Sequence, residues 1–275
     1  MSREVLAPGK LMIAGEYAVL DGAPALVLAV NRGVRCIVEE SDTLEIITPD
    51  GDDRFVRPVL KDTPSKYTFS AWNPTDLPEK PGFGGSAAAC VAACIAAGTP
   101  AEEAISIHRS VQGGGSGADV AASIHGGMIR FHAGQSTSVS PVRPVVIWSG
   151  KSAKTQPLID QYRSWSDRSD FVRESAAIVD SFHEDPVARL QENAHLLQHM
   201  AIVSGLRYAT PRLAAIASTA QRYGGAAKPS GAGGGDCAIA LFPDPEAEQA
   251  FRSDCIKRGW TLIDVDVASG THSSG

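Results

Sequence analysis

Three loops concentrate the residues able to handle charge. KPGFGGSAAA (80–89), QGGGSGADVAAS (112–123) and KPSGAGGGD (228–236) combine glycine with Ser86, Ser116, Ser230, Asp119 and Lys228. The first two run directly into helices of small residues. Bare amides at a helix start, with about half a positive charge from the helix dipole, make an anion site, and phosphate is its natural guest. Glycine loses more freedom on folding than any other residue. The glycines at 231, 233, 234 and 235 therefore mark a place where something approaches the backbone closely. Lys10, Lys151, Lys154 and Lys228 supply ammonium groups, point charges suited to phosphate. Asp119 falls in the first turn of its helix, where the dipole favours an acid. The glycine loop in front of it favours a role at a reacting centre.

Better-known motifs fail on spacing. GFGGSA fits G-x-G-x-x-A, but a dinucleotide fingerprint needs a hydrophobic strand before it, and WNPTDLPEKP cannot be one. SGKSAK contains G-K-S, yet Val145 stands where a Walker A loop needs glycine. Gly114-Gly115-Ser116-Gly117 continues into Ala118, so no G-x-S-x-G elbow is present. His195 and His199 share a helix face without the Glu of H-E-x-x-H or a third ligand, and no zinc site is expected. Cys90 and Cys94 read as small packing residues and Trp148 as core.

The frame for these loops is an α+β chain. With 275 residues, 43% of them apolar, a substantial core is available. A net charge of −6 disfavours nucleic acid and anionic membranes as partners. No apolar run is long enough to span a bilayer, and MSREVLAPGK lacks the apolar core of a signal peptide. Five cysteines without C-x-x-C spacing fit a reduced, cytoplasmic setting. Residues 3–48 read as strands, 57–81 with five prolines as an irregular loop, and 86–97 as a helix. Thr99 and Pro100 read as the cap and first position of the next helix. GGMIRFH and VVIW read as strands, with GQSTSVSPVRP between them as a linker or turn. Residues 154–223 read as helices broken near 166–169, 185–186 and 210–211, followed by a strand, a helix over 245–258 and the strand WTLIDVDV. Two units are expected, 1–140 and 141–275.

Taken in order, the motifs resemble those of the GHMP small-molecule kinases. APGKLMIAGEYAVLDGAPALVLAV resembles the first motif, PGFGGSAAA the second and KPSGAGGGDCAIAL the third. GSGADVAAS, VIWSGKSAKT and SGAGGGDC are most similar to the phosphomevalonate kinases within that superfamily. The resemblance implies a ribosomal-S5-like N-terminal domain that binds ATP and a ferredoxin-like C-terminal domain that completes the acceptor site. It implies ATP and Mg2+ as cofactors, a phosphorylated small molecule as acceptor, and the conversion of 5-phosphomevalonate to 5-diphosphomevalonate. A homodimer is compatible with it. Lys10 and Asp119 match the catalytic positions. Pro81, Gly82, Gly84, Gly85, Ser86, Ala87 and Ala88 match the nucleotide loop, with Ser86 and the weaker candidate Glu16 on the metal. Lys10, Tyr17, Ser116, Asp119, Ser149, Lys151, Ser152, Thr155, Lys228, Ser230, Gly231 and Gly233 match the acceptor side. Asp236 is read as stabilising a local turn. Two departures stand out: Gly85 replaces a common Ser, and the stretch from Phe55 to Lys80 is short.

The acceptor determines what Asp119 must do. An alcohol has to lose a proton, and a general base then contributes roughly 10²–10⁴ in rate. A phosphate, with a second pKa of about 6, is already mostly a dianion at neutral pH. It needs cations rather than a base. Mevalonate kinase, diphosphomevalonate decarboxylase and a non-catalytic ligand-binding homologue remain open as alternatives at the level of sequence.

Overall fold

Alternating and continuous apolar runs at the N-terminus form two long antiparallel strands, β1 (Arg3–Ala14) and β2 (Ala25–Glu39), joined through a 3-10 turn at Ala18–Asp21. A computed structural model describes residues 2–274; Met1 and Gly275, the outer limits of the two expected units, lie outside the described residues. β2 serves two neighbours in succession. Its second half pairs with β4 (Lys66–Trp72), which pairs in parallel with the short β3 (Glu45–Ile47), while its first half pairs with β5 (Met128–His132). β5 in turn pairs with β6 (Gln135–Val139).

Three helices pack on this unit besides the single turn α1 (Arg57–Leu60): α2 (Gly85–Ala97), α3 (Glu103–Gln112) and α4 (Ala118–His125). Alanine lets α2 lie close to the sheet. Ala88, Ala92, Ala93 and Ala96 join Val5, Ala7, Cys36, Tyr67 and Phe69 in one apolar cluster.

The second half contributes β7 (Val145–Trp148), α5 (Thr155–Ser164), α6 (Ser169–Asp180), α7 (Pro186–Ser204), α8 (Pro211–Arg222), β8 (Ala226–Pro229), β9 (Cys237–Leu241), α9 (Pro245–Lys257), β10 (Leu262–Ile263) and β11 (His272–Ser274). Its antiparallel sheet has the order β10-β7-β9-β8. The Asp185-Pro186 and Thr210-Pro211 breaks are helix starts: Asp185 accepts from the Ala188 amide at 3.0 Å and Thr210 from the Leu213 amide at 3.2 Å. Each side chain satisfies a donor that proline at the next position cannot obstruct. Among the described residues, no helix is long and apolar enough to cross a membrane.

Four expectations need correction. The proline-rich 57–81 segment contains β4, in which Tyr67 and Phe69 point into the core while Lys66, Thr68 and Ser70 do not. Proline flanks this strand without entering it. GQSTSVSPVRP contains β6, a polar edge strand registered on β5. Thr99 caps nothing: residues 99–102 form a turn and α3 begins at Glu103. WTLIDVDV yields only the two-residue β10, because the chain then leaves that sheet. Val267 bridges Val30, Ser269 bridges Gly126, and β11 pairs with β1. The tail of the second half thus closes the first sheet. Leu11, Ile13, Leu26, Phe83, Phe182, Leu190 and Ile239 form one continuous core across both halves.

Phe69 is 4% exposed in β4. Phe69→Ala is expected to lower the unfolding free energy by about 3–5 kcal/mol, measured by urea denaturation.

Candidate active site

Four connections end at one cavity of about 870 Å³: the β4–α2, α3–α4, β7–α5 and β8–β9 loops, together with the end of β1. Gly9 brings β1 to the 80–89 loop. A Cβ there would sit 2.7 Å from the Phe83 carbonyl, and its absence lets the Lys10 amide donate to that same oxygen at 2.8 Å. The stem of Lys10 then lies along Gly84, where an added Cβ would be 3.1 Å from Cγ and Cε. Its ammonium lies 3.9 Å from a Cβ built on Gly231. Lys10 therefore stands between the 80–89 and 228–236 loops. Arg32, Lys80 and Arg109 also line the cavity, but each is hydrogen-bonded to protein: Arg32 to the Asp264, Asn73 and Pro74 carbonyls, Lys80 to Asp50, and Arg109 to the Gly115 and Ser116 carbonyls. Among the described cavity residues, Lys10 is the ammonium or guanidinium group without such a partner.

Pro81, Gly82, Gly84, Gly85 and Ser86 line the cavity at the start of α2. Ala87 and Ala88 do not; they are buried in helix packing beneath it. Space at Gly85 is open, with nothing within 4 Å of a built Cβ, so the missing serine reflects no steric demand. Ser86 Oγ lies 3.1 Å from His108 Nε2. His108 is buried and stacked on Phe55, with ring centroids 4.9 Å apart. Burial pushes its pKa below the usual histidine value, against the pull of Asp119. His108 and Arg109 were not singled out in the sequence. The available signal was the i, i+4 pair Ala104 and His108, the buried stripe of α3. In the α3–α4 connection, Ser116 Oγ accepts from the Ala118 amide at 3.2 Å and Asp119 Oδ1 from the Val120 amide at 2.9 Å. Both residues line the cavity at the start of α4.

Glu16 and Lys228, expected on a metal and on the acceptor, are instead bound to each other. Lys228 is 1% exposed and Glu16 2%. The Lys228 ammonium donates to Glu16 Oε1 and, at 3.1 Å, to the Pro229 carbonyl. Glu16 also accepts from Asn193 Nδ2 at 3.1 Å and from the Gly231 amide at 3.4 Å. Burial pushes the Lys228 pKa down, opposed by Glu16. The pair is a joint between the first and third motifs, and neither charge is free for a ligand. Ser230 serves the same joint. Its Oγ accepts from the Met12 amide at 2.9 Å and donates to the Met12 carbonyl at 3.2 Å. Tyr17 lines the cavity and donates to the Ala232 carbonyl at 2.5 Å. Gly231 lines the cavity, whereas Gly233 faces Tyr208, whose Cδ2 would lie 2.5 Å from a Cβ.

In the β7–α5 loop, Ser152 and Thr155 line the cavity and Lys151 is exposed. Ser149 is buried, and its hydroxyl donates to the Lys151 carbonyl at 3.1 Å, so it faces its own turn. Asp236 organises this region instead of stabilising a local turn. With φ +57°, it accepts from the Ala153 amide at 2.9 Å, and its own amide donates to the Lys151 carbonyl at 2.8 Å. Its carboxyl fills the space over Gly82, where a Cβ would come within 2.4 Å. Burial pushes the Asp236 pKa up, against the Ala153 amide and Lys10.

Residues 178–259 match the family model described as GHMP kinases C terminal. The matched stretch is similar to a GHMP kinase C-terminal domain, and the chain as a whole has the fold of the solved mevalonate and phosphomevalonate kinases. It is 28% identical to the phosphomevalonate kinase of Streptomyces sp. (strain CL190), over 94% of each chain. It is 25% identical to the mevalonate kinase of Pyrococcus abyssi, over 91% of this chain and 92% of that one. The fold is similar to that of Streptococcus pneumoniae phosphomevalonate kinase in complex with phosphomevalonate and AMPPNP, with TM-score 0.78, 18% identity, and 98% and 100% of the two chains covered.

The buried pair has a measurable signature. Glu16→Gln leaves Lys228 without its counter-charge and is expected to cost about 3–5 kcal/mol in chemical denaturation, part of which Glu16→Gln/Lys228→Met recovers. His108 gives a second test. Its folded pKa is below the usual 6.5, so the unfolded chain binds the proton more readily. Stability is expected to fall as pH drops below about 6.5, and His108→Gln to flatten that limb of the stability-versus-pH curve.

Proposed function

We propose that this chain is an ATP-dependent kinase that phosphorylates 5-phosphomevalonate to 5-diphosphomevalonate. The position of Lys10 carries the reading: an ammonium without a protein partner stands between the glycine loop at α2 and the third loop, in a cavity large enough for two ligands. Phosphoryl transfer asks mainly for positioning and charge neutralisation. The amides from Gly82 to Ser86 and the α2 dipole suit the nucleotide phosphates. Lys10 then faces the transferred group and the acceptor from one point.

Asp119 lines the same cavity at the start of α4 and, in this reading, orients the acceptor. A phosphate acceptor arrives deprotonated and asks no base of it. Ser86 is a hard oxygen donor lining the cavity and would help to hold a magnesium ion that comes with the nucleotide, whereas the saturated Glu16 would not. When bound, that ion neutralises charge between the phosphates.

One observation favours mevalonate kinase as the second reading. Lys228 is withdrawn into its ion pair, so the acceptor end has fewer cations than the sequence suggested. A coupled assay of ADP release compares the two acceptors directly. The proposed activity gives kcat/KM for 5-phosphomevalonate about 10²-fold or more above that for mevalonate. Asp119→Asn then retains most of kcat, and Lys151→Ala raises the acceptor KM. Preference for mevalonate, with a loss of roughly 10²–10⁴ in Asp119→Asn, would reverse the assignment.

A further inference from the structure

The two consecutive amides just ahead of α5 are both occupied by carboxylates. The Ser152 amide donates to Glu79 Oε2 at 2.7 Å, and the Ala153 amide donates to Asp236 Oδ1 at 2.9 Å. The two carboxylates are held very differently. Asp236 is wedged over Gly82 and bonded through its backbone to Lys151 and Ser149. Glu79 is exposed, on the connection between β4 and α2, and its carboxylate is held by the Ser152 amide. The neighbouring Lys80 carbonyl accepts from Ser152 Oγ at 2.6 Å. So Ser152, expected on the acceptor side, spends both its amide and its hydroxyl on residues 79 and 80. Lys151 and Lys154, on either side of it in the chain, have exposed ammonium groups without a side-chain partner among the described residues.

We propose that Glu79 is a specificity-determining residue: its carboxylate occupies the Ser152 amide that a phosphate group on the acceptor must take, so only a ligand able to displace it binds productively. This rests on the reading of the cavity as a kinase acceptor site. A phosphate dianion brings two charges and three strong acceptor oxygens to the amide, to the hydroxyl freed from Lys80 and to the two lysines. An alcohol end brings no charge and cannot compete with a resident carboxylate. Displacement also frees residues 79–80, which lead directly into Pro81 and Gly82 of the nucleotide loop.

The test compares wild type with Glu79→Gln and Glu79→Ala, using inorganic phosphate as the probe in calorimetry and in amide NMR. Both variants are expected to bind phosphate about 3- to 10-fold more tightly than wild type, since a charge-assisted contact no longer has to be broken. The Ser152 and Ala153 amide resonances should move on titration. With 5-phosphomevalonate, the ratio of acceptor KM to ATP KM should fall by a similar factor. Equal phosphate affinity in all three proteins, no phosphate binding, or shifts confined to other amides would overturn the proposal. The two readings fail separately. Absence of turnover with 5-phosphomevalonate would sink the proposed activity while the phosphate titration still decides on Glu79. Turnover with unchanged phosphate affinity would leave the activity standing and remove the role of Glu79.

Discussion

The molecule depends on a charge pair that water does not reach. Lys228 and Glu16, from strand ends more than two hundred residues apart, meet at the base of the cavity. Removing an ammonium and a carboxylate from water is expensive, and their attraction offsets that cost only when the remaining donors and acceptors are also satisfied. Here they are. The Pro229 carbonyl takes a Lys228 proton, while Asn193 and the Gly231 amide complete Glu16. Such a set forms in one arrangement of β1, β8 and α7, so it fixes how the halves meet more than it adds net stability. Ser230 on Met12 and Tyr17 on Ala232 reinforce the same alignment.

That alignment sets where Lys10 goes. It lies six residues before Glu16 on the same chain segment, so the joint that locks Glu16 to the third loop also locks the Lys10 ammonium beside Gly231. The glycines then play a geometric part. Gly9 admits the Phe83 carbonyl, Gly82 admits the Asp236 carboxyl, and Gly84 admits the stem of Lys10. A Cβ on Gly9 or Gly82 would come within 2.7 Å of these neighbours and one on Gly84 would crowd the Lys10 stem, so the 80–89 loop is held against β1 and the 228–236 loop. The result is a cavity lined by glycine loops, helix starts and apolar side chains such as Phe55, Phe69 and Trp72, with the Lys10 ammonium between two of the loops.

Much of this was legible in the sequence, because glycine runs and helix starts are local signals. The three loops, Lys10, Ser86, Ser116 and Asp119 all reach the cavity as read. What failed was pairing. Nothing in the spacing of Glu16 and Lys228 says that they neutralise each other, so each was read as facing a ligand. Ser230 lines the cavity but also bonds Met12, and Gly233 packs on Tyr208; both partners are distant in the chain and invisible in the spacing. His108, Asp236 and Glu79 matter through contacts made only after folding. In the fold, β4 was hidden by the prolines around it, and β6 by its polar composition, since an edge strand has no second apolar neighbour to satisfy.

The charge distribution limits which reaction the cavity can assist. Under the proposed function, a chain of net charge −6 brings two polyanions together with Lys10 as the one uncommitted cation among the described cavity residues, and Lys151 and Lys154 exposed on the β7–α5 loop. Two carboxylates, Glu79 and Asp236, stand on the acceptor-side amides. Fixed protein cations are thus too few to balance a triphosphate and a monophosphate. The balance must come from aligned amides at α2 and α5 and from a cation that arrives with the nucleotide. An acceptor is then selected less by the number of lysines around it than by whether its own charge can replace a carboxylate already in place. Under the proposed function, this makes the β7–α5 loop, rather than the buried Lys228, the element that distinguishes a phosphorylated acceptor from its alcohol precursor.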